Sequence, residues 1–288
     1  MTQIIDGKQV AAEVKRDVGE RVQRLRGQGV VPGLTLVLVG DDAASASYVR
    51  SKRKLAMDLR LHAVIRELPA DVEESELLQI IGQLNEDDSV DAILVQLPLP
   101  PHLNAERVLE AIAPEKDVDG LHPINLGLTS RGAPSVWPCT AAGIARLLDF
   151  TGVPIAGQTA VVVGRSRLVG WPTAQWLLSR GATVVQCHRQ TVNLPTYTRQ
   201  ADVLVVAAGV PHLIGKEHVK PGATVIDVGM NRVDGRLIGD VDFAHVAPLV
   251  SAITPVPGGV GPMTVAMLVA NAVSLCEQRR GMRGDVDE

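Results

Sequence analysis

Apolar residues recur along the chain with two spacings, and together these spacings predict an α/β protein. Short runs rich in Val, Ile and Leu are typical of buried strands, and apolar residues that return every three or four positions are typical of helices. The predicted strands are 34–40, 61–68, 91–100, 159–164, 182–188, 201–209 and 223–229. The predicted helices are 9–26, 44–59, 73–86, 104–112, 140–150, 169–180 and 264–279. This alternation predicts two α/β units with largely parallel sheets.

The alternation is interrupted by the Pro- and Gly-rich segment TSRGAPSVWPCT, residues 129–140. Such segments commonly join domains. We therefore place a boundary near Pro138, with residues 1–138 as a first domain and residues 139–263 as a second. The apolar helix predicted at 264–279 follows the second unit, and we expect it to pack on the first domain.

Composition narrows the class of protein further. The chain has 288 residues, is 46% apolar and carries a formal net charge of -4. It contains only three Trp, two Tyr and two Phe. Because there is neither a positive charge excess nor a supply of stacking aromatics, we expect no nucleic-acid partner.

Cysteine and histidine usage argues against disulfides and metal sites. Cys139, Cys187 and Cys276 are odd in number and widely spaced, which disfavours a disulfide framework and suits a reducing cytoplasm. The seven histidines show no HExxH or other paired spacing, so we expect no metal ligand among them. The polar N-terminus and the absence of an apolar run of about 18 residues predict no membrane association.

One lysine has an unusual place in the predicted helix 44–59. At about 100° per residue, Lys52 falls in the middle of an apolar side. That side is formed by Tyr48, Val49, Leu55, Ala56 and Leu59. Lysine is rarely buried without a partner, so its side chain either extends along the surface to solvent or places its ammonium in a pocket.

A glycine-containing turn follows the predicted strand 159–164. In AVVVGRSRLVGWP, Gly164 and Gly170 flank Ser166, which stands where a dinucleotide fingerprint has its second glycine. The pattern is consistent with a nucleotide site or with an ordinary tight turn between strand and helix.

The end of the next predicted strand bears on cofactor choice. NAD-specific enzymes place an acid there, which binds the ribose 2′-hydroxyl. The sequence here is QCHRQ, with His188 and Arg189 and no acid. A guanidinium suits a 2′-phosphate, and Arg165 in the turn offers a second contact, which favours NADP over NAD. The alternative is that these arginines are ordinary surface charges.

Several motifs together resemble the bifunctional methylenetetrahydrofolate dehydrogenase/cyclohydrolase family. They occur in order between about residues 2 and 275. They are SASYVRSKRK, VQLPLP, PEKDVDGLHPINLG, WPCT, VVVGRSRLVGWP, VIDVGMN and TPVPGGVGPMT. The resemblance implies a cytoplasmic homodimer acting on tetrahydrofolate derivatives in one-carbon metabolism, including purine biosynthesis. It also implies an N-terminal catalytic domain, a Rossmann-type doubly wound NADP domain and a cleft between them.

The resemblance also assigns roles to residues. The family's catalytic tyrosine, lysine and glutamine correspond to Tyr48, Lys52 and Gln96, and its pterin-binding aspartate corresponds to Asp119. The positions matched to its cofactor turn and its folate-closing loop are Gly164, Arg165, Ser166, Pro257, Gly258, Gly259 and Val260. Met230 would contact the nicotinamide through its backbone.

The sequence departs from the family pattern at four positions. Ala43 and Ala141 stand where proline is usual, and Arg189 replaces a common serine at the adenosine end. Arg60 stands where a glycine usually ends the helix. If Arg60 adopts a left-handed conformation, we expect a local cost of about 1 kcal/mol.

The implied chemistry needs few groups. Hydride passes from the methylene carbon to NADP⁺, and water then adds to the methenyl cation. Burial and like charge would favour the neutral form of Lys52, which makes it a usable base. One carboxylate, Asp119, can accept two adjacent pterin donors, although DVDG is also an ordinary turn sequence. Asp117 would point to the opposite side of an extended segment.

Two other functions remain open at this point. One is a different NADP-linked dehydrogenase of a small oxo or hydroxy acid. The other is a non-catalytic NADP sensor.

Overall fold

The computed structural model describes residues 2–133 and 136–282. These residues form two compact units, which we name after their sheets. The three-stranded unit contains residues 13–128, 136–137 and 265–282. The six-stranded unit contains residues 2–12, 129–133 and 138–264.

Strands and helices alternate along the described chain. The strands of the first half are β1 (Gln3–Ile4), β2 (Gly33–Val39), β3 (His62–Leu68) and β4 (Ala92–Val95). Its helices are α1 (Gly7–Gly27), α2 (Ala43–Asp58), α3 (Glu74–Glu86), α4 (Ala105–Glu110), α5 (Pro123–Ser130) and α6 (Cys139–Thr151). The strands of the second half are β5 (Thr159–Val163), β6 (Thr183–Cys187), β7 (Val203–Val206), β8 (Thr224–Asp227), β9 (Asn231–Val233), β10 (Arg236–Ile238) and β11 (Ala252–Ile253). Its helices are α7 (Gly170–Ser179), α8 (Pro195–Thr198), α9 (Phe243–Val246) and α10 (Val260–Arg279).

The three-stranded unit has a parallel sheet in the order β3-β2-β4. Every residue of the central strand β2 is buried, which explains why its sequence, GLTLVLV, is almost entirely apolar. β4 ends at Val95, earlier than the predicted residue 100. Pro98, Pro100 and Pro101 follow, and proline has no N–H with which to continue a ladder.

The six-stranded unit has a parallel sheet in the order β1-β11-β8-β7-β5-β6. The strand order reverses between β5 and β7, which pair directly while β6 lies on the other side of β5. Ligands of doubly wound sheets bind at such a reversal, beyond the carboxyl ends of the strands. The predicted α/β class with largely parallel sheets and a Rossmann-type second sheet is confirmed.

The N-terminal residues belong to the six-stranded unit, whereas the sequence assigned residues 1–138 to one domain. β1 pairs with β11, and the N–H of Ile5 donates to the carbonyl of Ile253 at 2.9 Å. Both strands contain two residues, too few for a periodic pattern. The hairpin β9–β10 and the helix α5 were not predicted either.

The last helix, α10, is tied to the three-stranded unit from residue 265 onward. Asn271 Nδ2 donates to the carbonyls of Val118 and Trp137 at 2.9 and 3.0 Å. Contrary to the sequence-based expectation, α10 is long and apolar enough to cross a membrane by length and composition. However, 56% of its most apolar stretch is buried inside the protein, as in a core helix.

Arg60 adopts the left-handed conformation expected from the sequence, with φ of 65°. It follows the last turn of α2, where its N–H donates to the carbonyl of Met57 at 2.8 Å. The next N–H, of Leu61, donates to the carbonyl of Ala56 at 2.9 Å. These bonds satisfy the carbonyls at the helix end and offset part of the backbone cost.

Candidate active site

Lys52 points into the protein rather than into solvent. Its side chain lies on the buried face of α2 between Val49 and Ala56, and the residue is only 5% exposed. Its Nζ donates to Gln96 Oε1 at 3.0 Å and lies 4.6 Å from the centre of the Tyr48 ring. Of the two possibilities that the helical pattern left open, the structure excludes a side chain extended along the surface to solvent, because the amine is held inside by Gln96.

Strand order explains why these three side chains meet. α2 follows β2 and Gln96 follows β4, and the carboxyl ends of adjacent parallel strands lie at the same edge of a sheet. Tyr48 precedes Lys52 by one helical turn, which places both on one side of α2. The start of α2 is fixed by Asp42, whose Oδ2 accepts the N–H of Ser45 at 2.7 Å. These bonds to Ser45 lower the pKa of Asp42.

The orientation of Gln96 is determined by its other hydrogen bond. Its Nε2 donates to the carbonyl of Leu97 at 2.6 Å, so Oε1 is the atom presented to Lys52. Within the described residues, Lys52 forms no ion pair, and its polar partner is this uncharged amide oxygen. The amine is therefore oriented by an amide rather than by a carboxylate.

Asp117 and Asp119 have different surroundings. Asp117 is buried beside Ile93 of β4, where its Oδ2 accepts the N–H of His122 at 2.8 Å and Asn125 Nδ2 at 3.0 Å. Burial raises the pKa of Asp117 despite these bonds. Asp119 comes two residues later and is partly exposed. The Asp117 carboxylate is thus committed to internal bonds, and the role of Asp119 stays a prediction.

The glycine turn of the six-stranded unit borders a cavity of about 550 Å³. Gly164 has φ of 135°, and a Cβ on it would lie 2.3 Å from the carbonyl oxygen of Ala207. A Cβ on Gly170 would lie 2.2 Å from the carbonyl oxygen of Gly164. Both glycines are therefore required by close backbone approach. Ser166 Oγ accepts the N–H of Val169 at 3.2 Å and closes the turn.

The residues around this cavity come from the ends of β5, β6 and β7. Gly164, Arg165 and Ser166 line it from β5, and His188 and Arg189 line it from β6. No Asp or Glu of the described chain is among its lining residues. The structure thus brings the residues predicted to bind the cofactor, except Met230, to one cavity. Its glycine turn and its two arginines, Arg165 and Arg189, fit a dinucleotide with a 2′-phosphate.

A second cavity of the six-stranded unit, of about 180 Å³, is lined by the residues predicted to border the nicotinamide and to close over folate. Its lining includes Met230, Pro257, Gly258, Gly259 and Val260. Lys8 and Asp227 also line it, and the sequence analysis singled out neither. Asp227 is the acidic residue that ends the buried strand β8, and this position could have indicated a functional residue from the sequence. Burial raises the pKa of Asp227 to about 6.

The loop 257–260 lies directly against the N-terminal segment. The N–H of Gly7 donates to the carbonyl of Gly258 at 2.9 Å, and a Cβ on Gly7 would lie 1.7 Å from the carbonyl oxygen of Gly259. Only glycine fits at position 7 in this arrangement.

Over residues 2–133 and 136–282, no group of three His, Cys, Asp or Glu side chains has an arrangement suited to a metal ion.

Comparison with known families decides the relationship. The catalytic domain of tetrahydrofolate dehydrogenase/cyclohydrolase matches residues 5–119, and its NAD(P)-binding domain matches residues 138–280. The chain belongs to the tetrahydrofolate dehydrogenase/cyclohydrolase family. The family resemblance seen in the motifs is confirmed.

Relatives in this family match over nearly their whole lengths. A protein of Brevibacillus brevis named bifunctional protein FolD is 53% identical over 277 residues, 96% of this chain and 98% of that protein. The Campylobacter jejuni bifunctional enzyme FolD has a solved structure with 45% identity and a TM-score of 0.95, covering 97% and 100% of the two chains. The Trypanosoma brucei enzyme, solved with NADP and an inhibitor, is 40% identical with a TM-score of 0.91, covering 98% and 99%.

Proposed function

We propose that the protein oxidises 5,10-methylenetetrahydrofolate with NADP⁺ and hydrolyses the resulting methenyl compound to 10-formyltetrahydrofolate. The observation that carries this proposal is the buried Lys52 amine held by Gln96 beside the Tyr48 ring, in a chain of the tetrahydrofolate dehydrogenase/cyclohydrolase family. The Rossmann-type cavity with its two arginines supports the cofactor assignment.

The oxidation requires positioning more than proton transfer. NADP⁺, when bound, supplies the hydride acceptor. The residues that would hold it are Gly164, Arg165, Ser166 and Arg189, with the guanidinium groups toward the 2′-phosphate. The backbone at Met230 would border the nicotinamide. The folate substrate carries the donor carbon, and we assign its pterin to Asp119, which can accept two adjacent N–H donors.

The hydrolysis requires a group that moves protons. Water adds to the electrophilic methenyl carbon, and the neutral Lys52 amine accepts a proton from that water. The ammonium then returns this proton to the ring nitrogen as the carbon–nitrogen bond breaks. The remaining hydroxyl proton of the adduct leaves to solvent as the formyl C=O bond forms, so that one proton is released overall. Gln96 holds the amine in place, and the Tyr48 ring can stack on the substrate.

The test replaces Lys52 with methionine, which keeps the apolar stem and removes the amine. We expect the cyclohydrolase rate to fall by about 10² to 10⁴. Hydride transfer should fall less, because no proton moves in that step. Lys54→Met is the matched control, since Lys54 is exposed on the same helix, and it should retain both activities.

Two results would contradict the proposal. One is a parent protein that does not reduce NADP⁺ in the presence of methylenetetrahydrofolate. The other is equal cyclohydrolase rates in the Lys52 and Lys54 variants, which would remove Lys52 from the mechanism.

We further propose a cytoplasmic homodimer that contributes formyl groups to purine biosynthesis. Cys139, Cys187 and Cys276 are all buried and none of them forms a disulfide, which supports a reducing compartment. β3 forms one edge of its sheet and is mostly solvent-accessible, so it offers a surface for a second copy. Sedimentation equilibrium would measure the oligomeric state, and a monomer at assay concentrations would refute the dimer.

A further inference from the structure

A buried carboxylate, Asp240, joins two loops of the six-stranded unit. The residue is fully buried. Its Oδ2 accepts the N–H groups of Ala208 and Gly209 at 2.7 and 2.8 Å. Its Oδ1 accepts Nδ2 of Asn231 at 2.8 Å. The donors come from two separate parts of the chain, residues 208–209 and Asn231, so a single side chain holds the two parts together.

The two loops follow neighbouring strands at the same edge of the sheet. Ala208 and Gly209 follow β7, and Asn231 follows β8 and Met230. Ala208 lines the 550 Å³ cavity, and Met230 lines the 180 Å³ cavity. Asp240 therefore lies between the loop assigned to the dinucleotide and the loop assigned to the nicotinamide side.

The packing around Asp240 requires two glycines. A Cβ on Gly229 would lie 2.4 Å from Asp240 Oδ1, and a Cβ on Gly239 would lie 1.8 Å from Asp227 Oδ2. Asp227 Oδ1 in turn accepts the N–H groups of Gly229 and Asp240 at 2.9 and 3.0 Å. Two carboxylates thus share one buried network that leaves little freedom to the β8 loop.

We propose that Asp240 is a positioning residue for the dehydrogenase reaction. It sets the distance between the β7 loop and the β8 loop, and thereby the width of the site that receives the nicotinamide half of NADP⁺. The inference rests on the proposed function and deepens it. Asp240 contacts none of the residues assigned to proton transfer in the cyclohydrolase step, Lys52, Gln96 and Tyr48, which lie in the three-stranded unit, so we expect that step to be unaffected.

The experiment compares Asp240→Ala with Asp240→Asn. The alanine leaves two backbone N–H groups without their acceptor, and we expect the Kd of NADP⁺ and its KM to rise about tenfold or more. Asparagine keeps one oxygen for these N–H groups, and Asn231 can turn its amide to accept from the new Nδ2. We therefore expect Asp240→Asn to bind NADP⁺ within about twofold of the parent. Calorimetry measures the Kd.

The ratio of the two activities distinguishes a positioning role from a purely structural one. A purely structural role would lower both activities together. Cyclohydrolase turnover of supplied methenyltetrahydrofolate should be unchanged in Asp240→Ala while the dehydrogenase is impaired. Asp242→Ala is the matched control, because Asp242 is two residues away, partly exposed and bonded to His245. It should match the parent in both activities and in NADP⁺ affinity.

Four outcomes overturn the inference. Equal NADP⁺ affinity of Asp240→Ala and the parent overturns it alone, whereas a parent that does not bind NADP⁺ overturns the proposed function as well. Proportional loss of both activities in folded Asp240→Ala also overturns it. If Asp240→Ala does not fold, the inference is tested with Asn231→Asp instead. This substitution places a second carboxylate next to Asp240, and position 231 is half-exposed, so we expect the variant to fold. NADP⁺ affinity should fall several-fold with cyclohydrolase retained, and unchanged affinity refutes the inference.

Discussion

Replacing Asp91 with alanine should destabilise the three-stranded unit by about 3 kcal/mol. Asp91 is fully buried, and its Oδ1 accepts Nη1 of Arg279 at 2.7 Å. Its Oδ2 accepts the N–H of Gly33 at 2.9 Å. One carboxylate therefore joins the first residue of β2 to the last residue of α10.

The magnitude follows from what the substitution leaves behind. Removing one partner of a buried ion pair typically costs about 3 to 5 kcal/mol, because the other charge stays uncompensated. Arg279 is 17% exposed and keeps the carbonyl of Val90 at 2.9 Å, which favours the lower end of that range. A loss of about 3 kcal/mol corresponds to a factor of roughly 100 or more in the unfolding equilibrium.

The assay is urea unfolding followed by circular dichroism, combined with hydrogen exchange of the amides of α10. Asp88→Ala is the control, since the Asp88 carboxylate is 99% exposed and lies 3.5 Å from Arg279. An exposed pair contributes about 0 to 1 kcal/mol, so the control should be close to the parent. Equal destabilisation by the two substitutions, or protection of α10 unchanged in Asp91→Ala, would refute the reasoning.

Three further predictions concern the six-stranded unit. Gly7→Ala should displace the loop at Gly259, cost about 1 to 3 kcal/mol and weaken thermal protection by folate ligands; unchanged protection would count against the proposed role of the loop. Arg189→Ala should raise the KM for NADP⁺ about tenfold and leave the KM for NAD⁺ unchanged, and a parallel change in both would remove Arg189 from 2′-phosphate recognition. Because burial raises the pKa of Asp227 from 3.8 to about 6, its stabilising contribution is present below about pH 4 and is lost as pH rises through about 6. The stability of the parent relative to Asp227→Asn should therefore fall by about 2 kcal/mol between about pH 4 and pH 7 in urea unfolding, and no change would contradict the burial argument.

The strand and helix pattern was predictable because it depends on neighbouring residues. The residues of β2, rich in Val and Leu, indicated a buried strand, and the structure buries all seven of them. The misplaced position of Lys52 on its helix followed from helical geometry alone. The conformation of Arg60 was expected from the family pattern, and its φ of 65° agrees.

The secondary-structure predictions were wrong where a strand is very short or pairs with a strand that is distant in the sequence. β1 and β11 have two residues each and pair across the length of the chain, so neither has a periodic signal. β4 was predicted too long, because the apolar residues between its prolines continue the pattern while the prolines end the hydrogen bonding.

The sequence by itself determined the longer helices and strands, and it placed Lys52 on the apolar side of its helix. Only the tertiary structure decided which groups form hydrogen bonds with the buried polar side chains. The Lys52 amine is oriented by its hydrogen bond to Gln96, 44 residues away. The Asp240 carboxylate accepts backbone N–H groups that lie 31 and 32 residues away. Local spacing governs backbone periodicity, whereas a buried polar group must find its acceptor or donor wherever the packed sheet brings one within reach.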